Sequence, residues 1–543
     1  MTELSRQRPV RRFGDGALVA EVESVSDAQR LAAAVSGTPG WQAVTDVVVG
    51  YRSVTVLFDP DAADVGAMAL ELARIPGAFA DSREPRRVEI PVAFDGPDLD
   101  EVAQRARLAP SDVVGQLAGA ELRVAFLGFL PGFAYLDGLP PSLASVARRA
   151  TPRTAVAAGS VGIGGGFAGI YPQASPGGWQ LLGRTGFPLF DPDTPPFSAL
   201  QPGDVVHLRA VEDPGVAPAR SRPPLRSVAS GTVVVEDPGL LSMVQDLGRF
   251  GVARWGVPAA GAADPFALRV ANRLVGNHDG AGALEVTARG PRLRFDGPAH
   301  VAVVGGRRGQ GPVPVTVDGR PVEPDTVFPV APGQVLRIGE TVGDLRCYLA
   351  VSGGLEVAPV FGSRSSDVLT GLGPGALRTG DVLGIGTPNR PRGHVVEAAA
   401  GPGGRVLRVI PGPDELGARV FERLTTSTWE VGTSSDRMGV RLRSEEPLEV
   451  PAPGIASRGM VTGAVQVPPD GGPVALLCDH ATVGGYPVVA TVVSADLGIL
   501  GRCRPGDDVR FEPVDFAEAQ RARAELRRRV ERAVVGWYPV RSD

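Results

Sequence analysis

Residues 158–191 read AGSVGIGGGFAGIYPQASPGGWQLLGRTGFPLFD, and this stretch decides between two fold classes. Gly164, Gly166 and Gly169 spell GxGxxG. A dinucleotide-binding turn needs a helix straight after it, because the helix N-terminus receives the pyrophosphate. Here Pro172 and Pro176 follow, and short apolar runs alternate with glycine turns. The stretch therefore reads as β-hairpins, not as a nucleotide fingerprint.

The same texture extends outward. After Arg86, Val/Ile/Leu runs are broken by Gly and Pro about every 8–12 residues, the spacing of barrels and sandwiches. PGDVVHL (202–208), PGQVLRI (332–338), TGDVLGI (379–385) and PGDDVRF (505–511) each pair a glycine turn with an alternating strand, the mark of an internal repeat. Before Arg86 the pattern differs. Ala17–Val22 and Val44–Phe58 alternate like strands, while Ser26–Val35 and a segment from about Asp61 to Arg74 read as helices. The fold class is thus mainly β with a small N-terminal α/β domain. Glu212–Ser230 is rich in Pro, Arg and Ser and reads as a linker, and Asp515–Val535 reads as a closing helix. At roughly 150 residues per domain, 543 residues predict three or four domains. The boundaries expected are 1–85 (α/β sandwich), 86–211 (β-barrel), 212–230 (linker), 231–400 (β-barrel) and 401–543 (β-barrel with helix).

Composition excludes several functions. All 55 basic residues are arginine. Without lysine there is no P-loop lysine, no Schiff base, no Ser–Lys pair and no attachment point for biotin or lipoyl, and arginine does not deprotonate to replace them. A net charge of −5 offers no field for nucleic acid or an anionic membrane. Cys347, Cys478 and Cys503 form no CxxC pair, and the five histidines show no ligand spacing, so no metal site is expected. The N-terminus lacks a signal-peptide run and no 18-residue apolar stretch occurs, so a cytoplasmic protein is expected.

Longer motifs carry a family resemblance. LGFLPGFAYLDGLP (127–140), residues 158–191 and PGD (202–204) closely resemble the B component of bacterial 5-oxoprolinase, the allophanate hydrolase subunit 1 or Kip type. DPGLLSMVQDLGRFGVARWGVPAAGAADPFALRVANRLVGN (237–277), ALEVTARGP (283–291), YLAVSGGLEVAPVFGSRSSD (348–367), SDRMGVRL (435–442) and DHATVGGYP (479–487) resemble the C component, the allophanate hydrolase subunit 2 type. The resemblance implies a fusion of two normally separate proteins built on tandem cyclophilin-like β-barrels. It also implies similarity to the carboxyltransferase region of biotin-dependent urea carboxylase. In oxoprolinase, the B and C components work with a separate A component, and ATP hydrolysis drives opening of the lactam.

Three functions follow as expectations. The first is a fused B/C component of an ATP-dependent amidohydrolase acting on a small amide or carboxylate. It would have no intrinsic cofactor, with ATP and Mg²⁺ handled through a partner resembling the 5-oxoprolinase A component. The second is a carboxyltransferase-like module beside a biotin carboxylase-like protein, the biotin residing on the partner. The third is a Kip-type regulator of a sensor histidine kinase. A literal allophanate amidase fares worst, because its Ser–Ser–Lys mechanism needs a lysine.

Matching positions imply site residues: Asp479, Arg437 and Thr482 as catalytic, with Tyr486, Gln245, Asp246, Arg249, Asp264, Asn272, Ser160 and Arg184 as substrate-binding. Asp479–Pro487 and Arg437 are expected to converge on one cleft, Arg437 offering a fork to a carboxylate. The family pattern also breaks. Leu117 stands where V-V-x-x-H has histidine, Phe167 and Ala168 replace Gln-Thr, Ala481 replaces Gln, and Arg502 replaces Gln. Each neutral hydrogen bond lost removes roughly 0.5–1.5 kcal/mol from a polar site. Leu117 and Phe167 are expected to line a drier counterpart site in the B-like half.

Overall fold

The computed structural model describes residues 8–38, 41–75, 84–149, 151–217, 222, 225, 230–306, 311–395, 405–451 and 454–537. At the N-terminus, Val10–Arg12, Ala17–Glu21, Ser53–Phe58 and Val44–Gly50 form an antiparallel sheet in that order. Helices Val25–Gly37 and Val65–Arg74 bury Leu31, Val35, Met68 and Leu72 against Leu18, Val54 and Val56 of the sheet. Ser24 and Asp64 cap the two helices by accepting from Asp27 N and Ala67 N.

Residues 87–210 carry a seven-stranded sheet that curls toward closure. Its long parallel pair, Arg87–Val92 with Val205–Ala210, ends at Ala93, which exchanges two 2.9 Å backbone bonds with Arg184 of the opposite edge strand. Gly96 permits that approach: a Cβ there would lie 2.3 Å from the carbonyl carbon of Leu182. Helices Leu99–Ala106 and Pro110–Gly119, absent from the expectation, pack Val102, Val113 and Leu117 on the sheet.

The C-like half begins with two facing sheets of seven and five strands that share one core, including Val235, Leu284, Phe295, Val303 and Leu349. Next, Arg405–Pro411, Val488–Val492, Ala464–Gln466, Val474–Leu476, Gly439–Arg443, Thr428–Val431 and Asp508–Pro513 close a barrel. Helix Phe516–Arg532 leaves that barrel. Its Val530 packs beneath helix Pro265–Leu274, its Phe516 lies under the Arg12 guanidinium, and strand Val534–Trp537 pairs with Arg392–Val395. Most of the expected linker, including 218–221 and 226–229, lies outside the described residues. Arg222 within it forks onto Asp381 at 2.9 and 2.8 Å. The fold is mostly β, with 34% strand and 19% helix. Among the described residues, no helix is long and apolar enough to cross a membrane.

Candidate functional site at the junction of the two halves

The GSRSSD and DHATVGGYP segments meet in the C-like half over a buried polar network. Turn Arg437–Gly439 and loop Asp479–Pro487 flank the barrel strands, and strand Ala283–Thr287 brings Glu285 beneath them. Arg437, 1% exposed, forks onto Asp479 (Nε to Oδ2 2.9 Å, Nη2 to Oδ1 2.8 Å) and donates to Glu285 and to the Gly261 carbonyl at 2.6 Å. Glu285 also accepts from the Tyr348 hydroxyl at 2.7 Å and from Ala263 N at 2.9 Å, with Arg346 at 3.3 Å. Burial opposes charge on Arg437, but Coulomb attraction to Asp479 and Glu285 outweighs it and raises its pKa well above the usual value. Glu285 is pushed up by the same burial and pulled down further by Arg437 and Arg346, so its pKa is lowered.

Arg437 and Asp479 are in contact, but as a saturated, buried pair and not as a ligand fork in an open cleft. Four donor contacts from the guanidinium already end on protein acceptors. Thr482 is buried with its hydroxyl unpartnered, while Tyr486, 40% exposed, is the member of the loop that reaches solvent.

Gln245, Asp246 and Arg249 tie the GSRSSD segment down. Asp246 accepts from the Ser363 hydroxyl (2.7 Å), the Ser365 hydroxyl (2.5 Å), Arg364 N (2.6 Å) and Gly248 N (2.8 Å). Gln245 donates to the Ser366 carbonyl at 2.8 Å, and Arg249 to that of Ser365. Asp264 caps helix Pro265–Leu274 and stands 3.4 Å from Arg502. Burial raises the pKa of Asp264 despite that arginine. Asn272 serves the other end of that helix, donating to the Ala281 carbonyl at 2.8 Å. Ser160 and Arg184 face each other across two strands of the B-like sheet, where Arg184 holds Asp95 at 2.9 Å. They lie in the other half from the Arg437 network.

Sequence reasoning missed Glu285, Tyr348 and Asp367. Glu285 had a signal, an acid inside the apolar strand Ala283–Thr287. Asp367, 2% exposed, accepts from Thr370 N at 2.7 Å, while its second oxygen has no partner. Burial first, then the nearby Asp479 charge, push its carboxyl up to about 7.

Two altered family positions meet where the halves touch. Phe167 packs edge-on to Tyr51 (5.4 Å), Tyr135 (5.7 Å) and Phe126 (5.9 Å), in a cluster that takes Val483, Ala481, Met438 and Leu369 from the C-like half. Gln173 donates across the same junction to the Leu369 carbonyl at 2.7 Å. Leu117 is elsewhere, inside the B-like barrel core with Val113 and Val206, so it shares no site with Phe167. A helix position facing that core takes an apolar side chain without cost.

Comparison with known proteins accords with both halves. Residues 9–200 match the model of carboxyltransferase subdomains C and D, and residues 255–513 that of subdomains A and B. The chain is 33% identical over 298 residues to the C component of 5-oxoprolinase from Escherichia coli K12, covering 54% of this chain and 94% of that protein. It is 40% identical over 206 residues to the B component of 5-oxoprolinase from Escherichia coli O157:H7, covering 36% of this chain and 93% of that protein. Urea amidolyase of Lachancea kluyveri is 30% identical over 318 residues, which are 53% of this chain but 17% of that protein. The crystal structure of TTHA0988 superposes with a TM-score of 0.81 at 35% identity, covering 93% of this chain and 100% of the other. The chain belongs to the carboxyltransferase-domain family that contains the B and C components of 5-oxoprolinase, and it carries both in one polypeptide.

Proposed function

We propose that this chain is the fused B/C component of an ATP-dependent amidohydrolase of the 5-oxoprolinase type, acting with a separate protein that resembles the A component. The observation that carries this reading is that near-complete B and C sequences lie in order in one chain and pack against each other. An amide carbonyl is a poor electrophile, and phosphorylation of its oxygen makes a leaving group that water can displace. That step needs phosphate-cradling backbone, a cation and Mg²⁺ carboxylates. The residues present do not fit such a centre: the chain has no lysine and no Walker A run. Among the described residues no three His, Cys, Asp or Glu side chains cluster as a metal site.

In this reading the Arg437–Asp479–Glu285 network is the foundation that positions loop 479–487, and Tyr486 is its ligand-facing group, while the Thr482 hydroxyl is buried and unpartnered. Phe167 and Ala481 replace polar family residues at the junction, which favours a less polar substrate than 5-oxoproline. The carboxyltransferase family models favour a second reading, a carboxyl-transfer module served by a biotinylated partner. Copurification from native lysate separates the two. A stoichiometric protein of the 5-oxoprolinase A type supports the first, and a biotin carboxylase-like protein supports the second and overturns the first.

A further inference from the structure

A groove of about 730 Å³ lies away from the Arg437 network, where three parts of the fold meet. Its walls are helix Val25–Gly37, strand Val44–Gly50, the 195–202 loop of the B-like barrel, and the Arg254–Trp255 turn of the C-like half. That volume falls within the range of small-molecule sites, about 300–1,000 Å³.

One end of the groove carries a pre-oriented cation. The Arg254 guanidinium lies 4.3 Å above the Trp255 ring, and Trp255 stacks on Phe361 at 5.9 Å and 28°. Phe197 meets Trp255 edge-on at 4.9 Å. A stacked guanidinium loses little freedom when its edge binds a planar anion. Among the described residues, no acceptor lies within hydrogen-bond or ion-pair distance of it. Asp46, a buried carboxylate of the same lining, accepts from Gly251 N and Ala253 N at 2.9 Å each, and Arg254 attracts it at longer range without an ion pair. The rest of the lining mixes apolar Ala33, Val44 and Val47 with polar Gln29, Ser36 and Thr45. It also contains the C-terminal turn of helix Val25–Gly37, whose dipole disfavours an anion there.

We infer that this groove is a second ligand site, for a small organic monocarboxylate with an apolar ring body. The carboxylate meets the Arg254 edge and the ring lies along the Ala33 wall. Nothing in this assignment requires the partner or the catalytic reading proposed above.

Calorimetric titration of the full chain with indole-3-acetate, and with indole-3-acetamide as its uncharged counterpart, tests it. Saturable binding of the acid is expected, at least about tenfold tighter than the amide. Arg254→Leu should weaken the acid about tenfold or more, and Ala33→Trp, which fills the groove, should abolish binding. Both positions are exposed, so unchanged melting temperatures are the check on folding. No saturable binding, equal binding of acid and amide, or acid binding unaffected by either substitution overturns the site.

Discussion

Arg437 is the residue on which the C-like half turns. Removing its guanidinium leaves Asp479 without a counter-charge and Glu285 with Arg346 alone, and all three groups are buried. Breaking a buried ion pair from one side costs about 3–5 kcal/mol. Arg437→Met should lower unfolding free energy by that amount in urea titrations; a loss below about 1 kcal/mol, the size of an exposed pair, would show the network to be solvated. Asp367 gives a pH signature. Its folded pKa, about 7, is above that of an ordinary carboxyl, so it contributes stability at acid pH that is lost as pH rises from about 4 through 7. Wild type should therefore lose about 2–4 kcal/mol relative to Asp367→Asn across that window, read from melts at several pH values. A constant difference from about pH 4 to 8 would mean that Asp367 ionises normally. At this scale the sequence was legible where a motif was long: Asp479 and Arg437 could be placed together. Their saturation could not be foreseen, because Glu285 and the Gly261 carbonyl come from distant segments.

The elements divide in the same way. The N-terminal strands and helices were readable from periodicity, although the first helix starts at Val25 behind a Ser24 cap and not at Ser26, a distinction only backbone geometry makes. Val44–Phe58 folds back at Tyr51–Arg52, with Arg52 at φ 57° and no Asn-Gly signal to announce the turn. Helices Leu99–Ala106 and Pro110–Gly119 had a readable signal, apolar residues at helical spacing behind Pro110, but the glycine-rich β texture around them masked it. Helix Leu497–Gly501 shows how elements fix one another across barrels. A Cβ on Gly501 would lie 2.0 Å from the Ala263 carbonyl oxygen, next to the backbone that feeds Glu285. Gly501→Ala should cost about 1–3 kcal/mol or more through overpacking, measured by thermal denaturation. A neutral result would mean that the two barrels separate there without strain.

Over the whole molecule, contacts across the expected fusion point are numerous and partly buried. Asp46 accepts from Gly251 N and Ala253 N, Thr55 donates to the Gly459 carbonyl at 3.1 Å, and Asp15 holds the Ser494 hydroxyl at 2.6 Å. Cleavage within 212–230 should therefore leave two fragments that co-elute in size-exclusion chromatography, and separate elution would show that the linker holds the halves together. The order of the halves was visible in the sequence because both family patterns are long. Their docking was not, since it rests on aromatic and backbone contacts between residues hundreds of positions apart. The role proposed for this chain is one component of a partner-dependent amidohydrolase. Its most direct test is ATP hydrolysis and 5-oxoproline opening by the purified chain, alone and with the purified A component of a 5-oxoprolinase. No turnover alone and ATP hydrolysis stimulated on addition of that component are expected; steady turnover by the isolated chain, abolished by substitutions in its own residues, would contradict the account.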